Sequence, residues 1–333
     1  MNTIAVCTYR RSEMLQIFLE RLSLCPELPE YRLHFFLDKG YNPENLEVVK
    51  EFHKNNPKQE LVVTIRPQKI GLMPATYNIM DSYRIAAEES SEYVIPCEED
   101  IIPSRDFLRF NHKVYEKFLK PFPRIFCVAH KRRPETEKKG LVDVLIGDTQ
   151  CTSPTCVTTE SVFRYMIPAM KLPAYFTDPV YCHAMFYPNS RIPPNIVADH
   201  DGKIERIIEY NQLFALKPDQ ARTAHIGFDG GDYGSGRGIA LKGSLRERVE
   251  YLRSILMNGP ALRSHAIHFV EGIVTTNLDG YDWEDLYLDT NRDVAIASSW
   301  WYDEGNHFKK YMDSAHGTGR GILCSERHST THI

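Results

Sequence analysis

The chain has 333 residues, of which 42% are hydrophobic and 25% charged, and its formal net charge is −4. This length suffices for one large α/β domain or for two smaller domains. The composition is ordinary for a globular protein. The negative net charge excludes a surface that binds polyanions as a whole, although a local basic patch stays open.

Two features of the sequence bear on the compartment. No stretch approaches the roughly 20 apolar residues that span a bilayer, and Met1–Val6 enters a strand-like run without a basic segment before it. The cysteines at positions 7, 25, 97, 127, 151, 156, 182 and 324 form no CxxC pair. We therefore expect no signal peptide or anchor, no zinc site, and a reduced, cytoplasmic location in a bacterium or a virus-infected host.

Strand-like and helix-like segments alternate through the first half. Strands are predicted at Thr3–Cys7, Leu33–Leu37, Leu61–Ile65 and Glu92–Pro96, and helices at Ser12–Leu24, Glu44–His53, Pro74–Ala87 and Ser104–Lys120, the last with Ser104 as N-cap. This alternation predicts an α/β fold with a mostly parallel sheet flanked by helices. Ligands of such sheets bind at the carboxyl ends of the strands.

The second half is less regular. Strands are predicted at Ile125–Ala129 and Val142–Ile146, helices at Thr158–Met170, Asp201–Leu213 and Ser244–Met257, and loops at His130–Lys139 and Gly227–Gly238. We find no internal repeat and no low-complexity region.

An acidic cluster, Glu98-Glu99-Asp100, directly follows the fourth predicted strand. Carboxylates at the end of a buried strand repel one another unless a positive charge lies among them. Their oxygens suit Mg²⁺ or Mn²⁺, which proteins often share with substrate phosphates. The alternative is a solvated acidic turn that caps the following helix.

The position of this cluster resembles that of the DXD motif of GT-A glycosyltransferases. Together with Asp106-Phe107-Leu108, it resembles the Glu-Asp-Asp and Asp-Phe-Phe segment of the N-acetylglucosaminyltransferase family that initiates complex N-glycans. The resemblance implies that Asp100 binds the metal, that Glu99 lies near the ribose and that Glu98 supports the site. Glu99 stands where that family has Asp, which alters the ribose contact.

The first two strands carry the proposed nucleotide contacts. The segment Ala5–Arg10 resembles the family's first strand and nucleotide loop, which makes Thr8 and Arg10 candidates for nucleotide binding, with Arg11 as a second candidate arginine. Asp38 ends the segment that resembles the second strand, where an Asp hydrogen-bonds uracil. Capping of a turn or helix is the alternative for Asp38.

A second block, Lys217–Thr223, resembles the family's Arg-Pro-Glu-x-Ser-Arg-Thr segment and makes Arg222 a candidate donor-binding residue. The family's catalytic base is an Asp about twenty residues earlier. Asp201 lies 21 residues before Arg222 (222 − 201), with Asp199 as the competing choice. A carboxylate at this point can take the proton of an attacking hydroxyl. Helix capping is the alternative for Asp201.

Two further candidates lie near the glycine-rich loop. Arg237 in that loop can pair with phosphate, and the alternative is an ordinary surface loop. His225 precedes the loop and, by the same resemblance, is a possible further metal ligand. A structural histidine is the alternative.

These features together predict a GT-A, Rossmann-like fold with a smaller C-terminal acceptor-side region. Residues 1–120 form the nucleotide-sugar half, 121–260 the acceptor and catalytic-base half of the same domain, and 261–333 an extension of unknown role. The resemblance implies an inverting, Mn²⁺- or Mg²⁺-dependent hexosyl- or N-acetylhexosaminyltransferase. The expected donor is a UDP-sugar and the acceptor a hydroxyl of modified viral DNA, a glycan, a protein or a small molecule. A nucleotidyltransferase and a non-catalytic sugar-nucleotide-binding protein are the alternatives.

Overall fold

A computed structural model describes residues 1–71, 74–129, 144–147, 154–171, 175–178, 200–218, 221–226, 247 and 288–289. The strands are β1 (Asn2–Thr8), β2 (Tyr31–Leu37), β3 (Leu61–Ile65), β4 (Tyr93–Glu98), β5 (Ile101–Pro103), β6 (Ile125–Ala129), β7 (Val144–Gly147), β8 (Pro154–Thr158), β9 (Phe214–Pro218), β10 (Thr223–His225) and β11 (Leu288–Asp289). The helices are α1 (Ser12–Leu22), α2 (Pro43–Asn55), α3 (Pro74–Glu89), α4 (Phe107–Val114), α5 (Thr159–Ser161), α6 (Ile167–Met170) and α7 (His200–Tyr210).

Within the described residues, one nine-stranded sheet has the order β11-β7-β9-β6-β8-β4-β1-β2-β3, and β10 pairs with β5 in a second, small sheet. The neighbours β3, β2, β1 and β4 run parallel. β8 lies antiparallel between β4 and β6, and β7 is antiparallel to β9. The fold is therefore α/β, with a mostly parallel sheet, as the sequence predicts.

Helices cover both faces of this sheet. Ile4 and Val6 of β1 face a core that includes Leu15 of α1 and Phe52 of α2. The intervening Ala5 belongs to a second core with α3 and α7. Because side chains alternate along a strand, β1 contributes to both cores, which is the pattern of a strand buried on both sides.

The first half matches its prediction within a few residues, except that β5 was not predicted and that the helix after it has other ends. The helix predicted at Ser104–Lys120 begins at Phe107 instead, and its α-helical part ends at Val114, before a π-helical turn at Tyr115–Leu119. Asp106, and not Ser104, is therefore the N-cap. The backbone N–H of Ser104 donates to the carbonyl of Arg222 at 2.8 Å.

The predicted helix at Thr158–Met170 is divided between α5, a π-helical segment at Val162–Met166, and α6. Thr158 is the N-cap, since its hydroxyl accepts a hydrogen bond from the N–H of Ser161 at 3.0 Å. Pro168 has no N–H for an α-helical hydrogen bond, which is consistent with the altered pattern before it.

The prediction for the second half omitted β8, β9, β10 and β11. The loops predicted at His130–Lys139 and Gly227–Gly238 lie outside the described residues, as does the helix predicted at Ser244–Met257 except for Glu247. Among the described helices, none is both long enough and apolar enough to cross a membrane.

Candidate active site

Several of the polar residues singled out in the sequence lie near the carboxyl ends of β1 and β4. These strands are parallel neighbours, and Cys7 pairs with Glu98 in their register. The chain leaves β1 toward β2 and β3 on one side and returns beyond β1 to β4 on the other. Such a reversal of strand order opens a crevice outside the strand ends, where ligands of doubly wound sheets bind. The loop after Thr8 and the acidic cluster border this crevice.

Arg11 joins the β1 loop to the acidic cluster. Its Nε lies 2.8 Å from Glu99 Oε1, and its Nη1 lies 2.7 Å from Asp100 Oδ2. The side chains of Glu99 and Asp100 are only 5% and 4% exposed. Burial opposes the charge of Arg11, but Asp100 and Glu99 outweigh it and raise the pKa of the guanidinium. The positive charge among these carboxylates is therefore a side chain of the same chain.

The pKa of Glu99 is shifted even though its carboxylate pairs with Arg11. Burial raises its pKa above the ordinary value, against the opposing effect of Arg11. Its backbone N–H donates to the carbonyl of Cys7 at 3.3 Å, which fixes the turn after β4 against β1.

The first turn of α7 brings Asp201 to the same crevice. His200 Nε2 lies 3.4 Å from Glu98 Oε1 and 3.2 Å from Asp201 Oδ1. Burial alone would lower the pKa of His200, but Asp201 and Glu98 outweigh it and raise that pKa well above 6.5. A protonated His200 thus holds two carboxylates from distant segments together. The side chain of Asp201 is 31% exposed, more than that of Glu98 at 22%.

The small sheet fixes the acidic turn from the other side. β10 pairs with β5, and the N–H of Ile226 donates to the carbonyl of Asp100 at 2.7 Å. Arg222, just before β10, is buried with its Nε 3.1 Å from Asp106 Oδ2 and its guanidinium over the ring of Phe110. Ser104 completes this group by donating to Asp106 Oδ1 at 2.7 Å.

Asp38 lies one residue beyond β2, at the same end of the sheet as the β1 loop. Its N–H donates to the carbonyl of Thr8 at 3.3 Å, and its Oδ1 accepts from the N–H of Lys39 at 2.8 Å. Thr8 is buried, and its hydroxyl accepts from Asn45 Nδ2 at 2.7 Å. These bonds fix the position of Asp38, which is itself 5% exposed.

Exposed cations surround the aromatic ring of Tyr9 at this edge. The guanidinium of Arg10 lies 4.6 Å from the ring centroid, and its Nε donates to the carbonyl of Gly40 at 3.4 Å. Lys69 Nζ donates to Tyr9 Oη at 3.0 Å. The aromatic ring can stack on a base, and the two cations beside it can pair with a phosphate.

The segment after β3 is anchored by side chains of α3. Arg66 donates from Nε to Asn78 Oδ1 at 2.8 Å and from Nη1 to Asp81 Oδ2 at 2.7 Å. Gly71 adopts φ +83°, and a Cβ on it would lie 2.7 Å from the carbonyl oxygen of Phe176. Only glycine fits this close backbone approach.

We tested whether the residues present suit the divalent cation that the resemblance implies. Among the residues that the structure describes, no group of three His, Cys, Asp or Glu side chains is arranged to hold a metal ion. Glu99 and Asp100 each direct an oxygen at Arg11. The described donor set therefore does not fit a metal ion in this arrangement.

The remaining predicted residues divide into two groups. Asp199 and Arg237 lie outside the described residues, as does the side chain of His225. Arg222 is 2% exposed, so a contact with a nucleotide would require its pair with Asp106 to open. The sequence analysis did not single out His200, although it stands directly before the candidate base in an Asp-His-Asp run.

The comparisons with known proteins give no sequence match. A scan against models of protein families finds no match, and neither does a search of curated proteins. No sequence match therefore supports the resemblance to the N-acetylglucosaminyltransferase family.

Solved structures show a loose likeness. Residues 1–349 of TarS from S. aureus share 12% identity over 82% of this chain and 71% of that chain, with a TM-score of 0.42. The same fragment in complex with UDP-GlcNAc shares 13% identity over 82% of this chain and 72% of that chain, with a TM-score of 0.41. A third structure is that of the mannosyltransferase PcManGT from Pyrobaculum calidifontis in complex with GDP-Man and Mn²⁺. It shares 10% identity over 97% of this chain and 77% of that chain, with a TM-score of 0.41. The chain covers 41% of a longer S. aureus TarS chain. At these scores the likeness carries no inference about activity.

Proposed function

We propose that this protein is a glycosyltransferase that moves a sugar from a UDP-sugar to a hydroxyl acceptor, with inversion. One observation carries the proposal: Asp201 lies beside the acidic cluster in the crevice between β1 and β4, linked to Glu98 through His200. A partly exposed carboxylate and two buried acids with their cation thus lie near the carboxyl ends of β1 and β4, and the cation-flanked ring of Tyr9 follows β1. Residues 1–120 supply the donor side, residues 121–260 the acceptor side, and residues 261–333 an extension.

The proposed reaction is a single in-line displacement. The acceptor oxygen forms a bond to the anomeric carbon while the bond from that carbon to the diphosphate oxygen breaks. Asp201 takes the proton of the acceptor hydroxyl, a step that general bases accelerate by about 10²- to 10⁴-fold. His200, whose pKa is raised between the two carboxylates, holds Asp201 in position at 3.2 Å. Asp199 is the competing base in the sequence.

The donor side of the proposal uses the ends of β1 and β2. Asp38 accepts hydrogen bonds from uracil, and Thr8 fixes Asp38 through its backbone carbonyl. Tyr9 and Arg10 face the base and the phosphates. Arg237, in the glycine-rich loop, is a further proposed phosphate ligand. The loop after β1 contains no glycine, which disfavours a nucleotidyltransferase.

The resemblance implies Mn²⁺ or Mg²⁺ at Asp100, with His225 as a further ligand. The described donor set does not fit that ion while Arg11 holds Glu99 and Asp100, so no step of the proposed reaction depends on a metal. The proposed acceptor is a hydroxymethylated base in viral DNA or a glycan, and a gel-shift assay on modified DNA distinguishes these two classes.

A thermal-shift screen of nucleotide sugars on the full chain tests the donor class. A ligand at about 100 times its Kd stabilises the native state by about 2.7 kcal/mol. For 333 residues, the unfolding entropy is about 0.7 kcal/mol/K, so the expected rise in Tm is roughly 4 °C. We expect UDP-sugars to give this shift and GDP-sugars to give less.

Release of UDP from the donors that bind completes the test. Slow hydrolysis needs only water, so it does not depend on knowing the acceptor. Binding without UDP release, with every acceptor class present, would instead indicate a non-catalytic sugar-nucleotide-binding protein. Absence of binding by every nucleotide sugar would reject the proposed function.

A further inference from the structure

The carboxylates that the resemblance assigns to a metal already hold a cation. Arg11 contacts both Glu99 and Asp100 at hydrogen-bond distance. The three side chains are mostly buried, at 17%, 5% and 4% exposed for Arg11, Glu99 and Asp100. Two charge-assisted bonds from one planar guanidinium fix geometry as well as charge.

The guanidinium retains hydrogen-bonding capacity toward the crevice. Its two contacts use Nε and Nη1, and in the described part of the chain no residue accepts a hydrogen bond from Nη2. The side chain of Arg11 is 17% exposed. Arg11 immediately precedes α1, whose first backbone N–H groups add positive potential at the same place.

We propose that Arg11 takes the place of a divalent cation in this active site, an inference that rests on the proposed function. Arg11 holds Glu99 and Asp100 through Nε and Nη1 and donates from Nη2 to the diphosphate of the donor. As the bond between the anomeric carbon and the diphosphate oxygen breaks, the electron pair stays on that oxygen, and Arg11 stabilises the added charge. The acceptor proton remains on Asp201. No metal takes part in this sequence.

The energetics of the site favour the tethered cation over a free ion. A divalent ion at Asp100 would lie beside the guanidinium of Arg11, and the two positive charges would repel each other. Moving Arg11 away would leave a mostly buried guanidinium without its two carboxylate partners. Arginine also remains protonated at every accessible pH. The site therefore carries its positive charge permanently.

Binding of Mn²⁺ alone, measured by electron paramagnetic resonance on the full chain, tests this inference without a donor. We expect no tight Mn²⁺ site in the wild type and a new site in Arg11→Met, because that change frees Glu99 and Asp100. Arg32→Met is the matched control, since Arg32 also pairs with two glutamates, Glu60 and Glu89, but at the start of β2. It should bind no Mn²⁺.

Calorimetric titration with UDP in EDTA gives the second readout. The wild type and Arg32→Met should bind UDP equally in EDTA and in Mn²⁺. Arg11→Met should bind it roughly 10- to 100-fold more weakly in EDTA, the loss expected for a charge-assisted hydrogen bond. If Arg11→Met does not fold, Arg11→Lys keeps the charge without the fork, and its affinity should fall between the two.

The outcomes separate the two proposals. A tight Mn²⁺ site in the wild type, or UDP binding that EDTA abolishes, would overturn the role of Arg11 and leave the sugar-transfer proposal standing. Wild-type affinity for UDP in folded Arg11→Met would overturn it as well. If no UDP or UDP-sugar binds under any condition, the proposed function fails, whatever the Mn²⁺ titration shows.

Discussion

The buried pair of Asp106 and Arg222 offers a quantitative test of how the acidic turn is held. Their side chains are 1% and 2% exposed, and the pair joins the start of α4 to the start of β10. Asp106→Leu leaves a buried guanidinium without its carboxylate, which costs about 3–5 kcal/mol. With an unfolding entropy of about 0.7 kcal/mol/K for 333 residues, Tm should fall by roughly 4–7 °C.

A double-mutant cycle isolates this interaction from the loss of packing. Arg222→Met alone should be destabilising for the converse reason, since it leaves a buried carboxylate. Asp106→Leu with Arg222→Met replaces the pair by apolar side chains and should recover much of the loss. Calorimetric Tm and unfolding enthalpy of the four proteins give the coupling. Strictly additive losses would refute the interpretation that these two charges hold each other.

The other two predictions concern a glycine and a histidine. Gly71→Ala should destabilise the protein more than Gly40→Ala, although both glycines have φ +83°. A Cβ on Gly71 would lie 2.7 Å from the backbone of Phe176, whereas the atom nearest to a Cβ on Gly40 would be 3.5 Å away. Gly40→Ala should cost only the left-handed conformation, about 1–2 kcal/mol; equal losses of Tm would contradict this. The folded-state pKa of His200 is raised above 6.5, so its stabilisation is complete below that pH and is lost as pH rises through the raised pKa. The difference in unfolding free energy between wild type and His200→Gln should therefore shrink with rising pH, and a difference that grows would contradict the assignment.

The sequence predicts the first half of the fold well because the information there is local. Buried parallel strands are short apolar runs, and α1 and α2 each show one apolar face, so pattern alone places them. β9 has no such signal: its residues, Phe214–Pro218, include Lys217, and its pairing partner, Ile125, lies far back in the chain. Its identity as a strand is set by the neighbouring β6 and β7.

The site shows the same division between local and non-local information. The acidic cluster, Asp38 and Asp201 are visible in the sequence because each follows a strand or opens a helix. The pairing of the acidic cluster with Arg11 is not visible in the sequence. Arg11 precedes Asp100 by 89 residues and contacts it only because β1 and β4 are neighbours. The acids need a positive charge beside them, and in the described residues Arg11 supplies one.

The central claim is tested most directly by UDP release from a UDP-sugar by the wild type and by Asp201→Asn. Asparagine keeps the shape of Asp201 but cannot take a proton. We expect the wild type to release UDP in the presence of an acceptor, and Asp201→Asn to release it about 10²- to 10⁴-fold more slowly while binding UDP with unchanged affinity. Undiminished UDP release by Asp201→Asn, or no release by the wild type with any nucleotide sugar, would contradict the account.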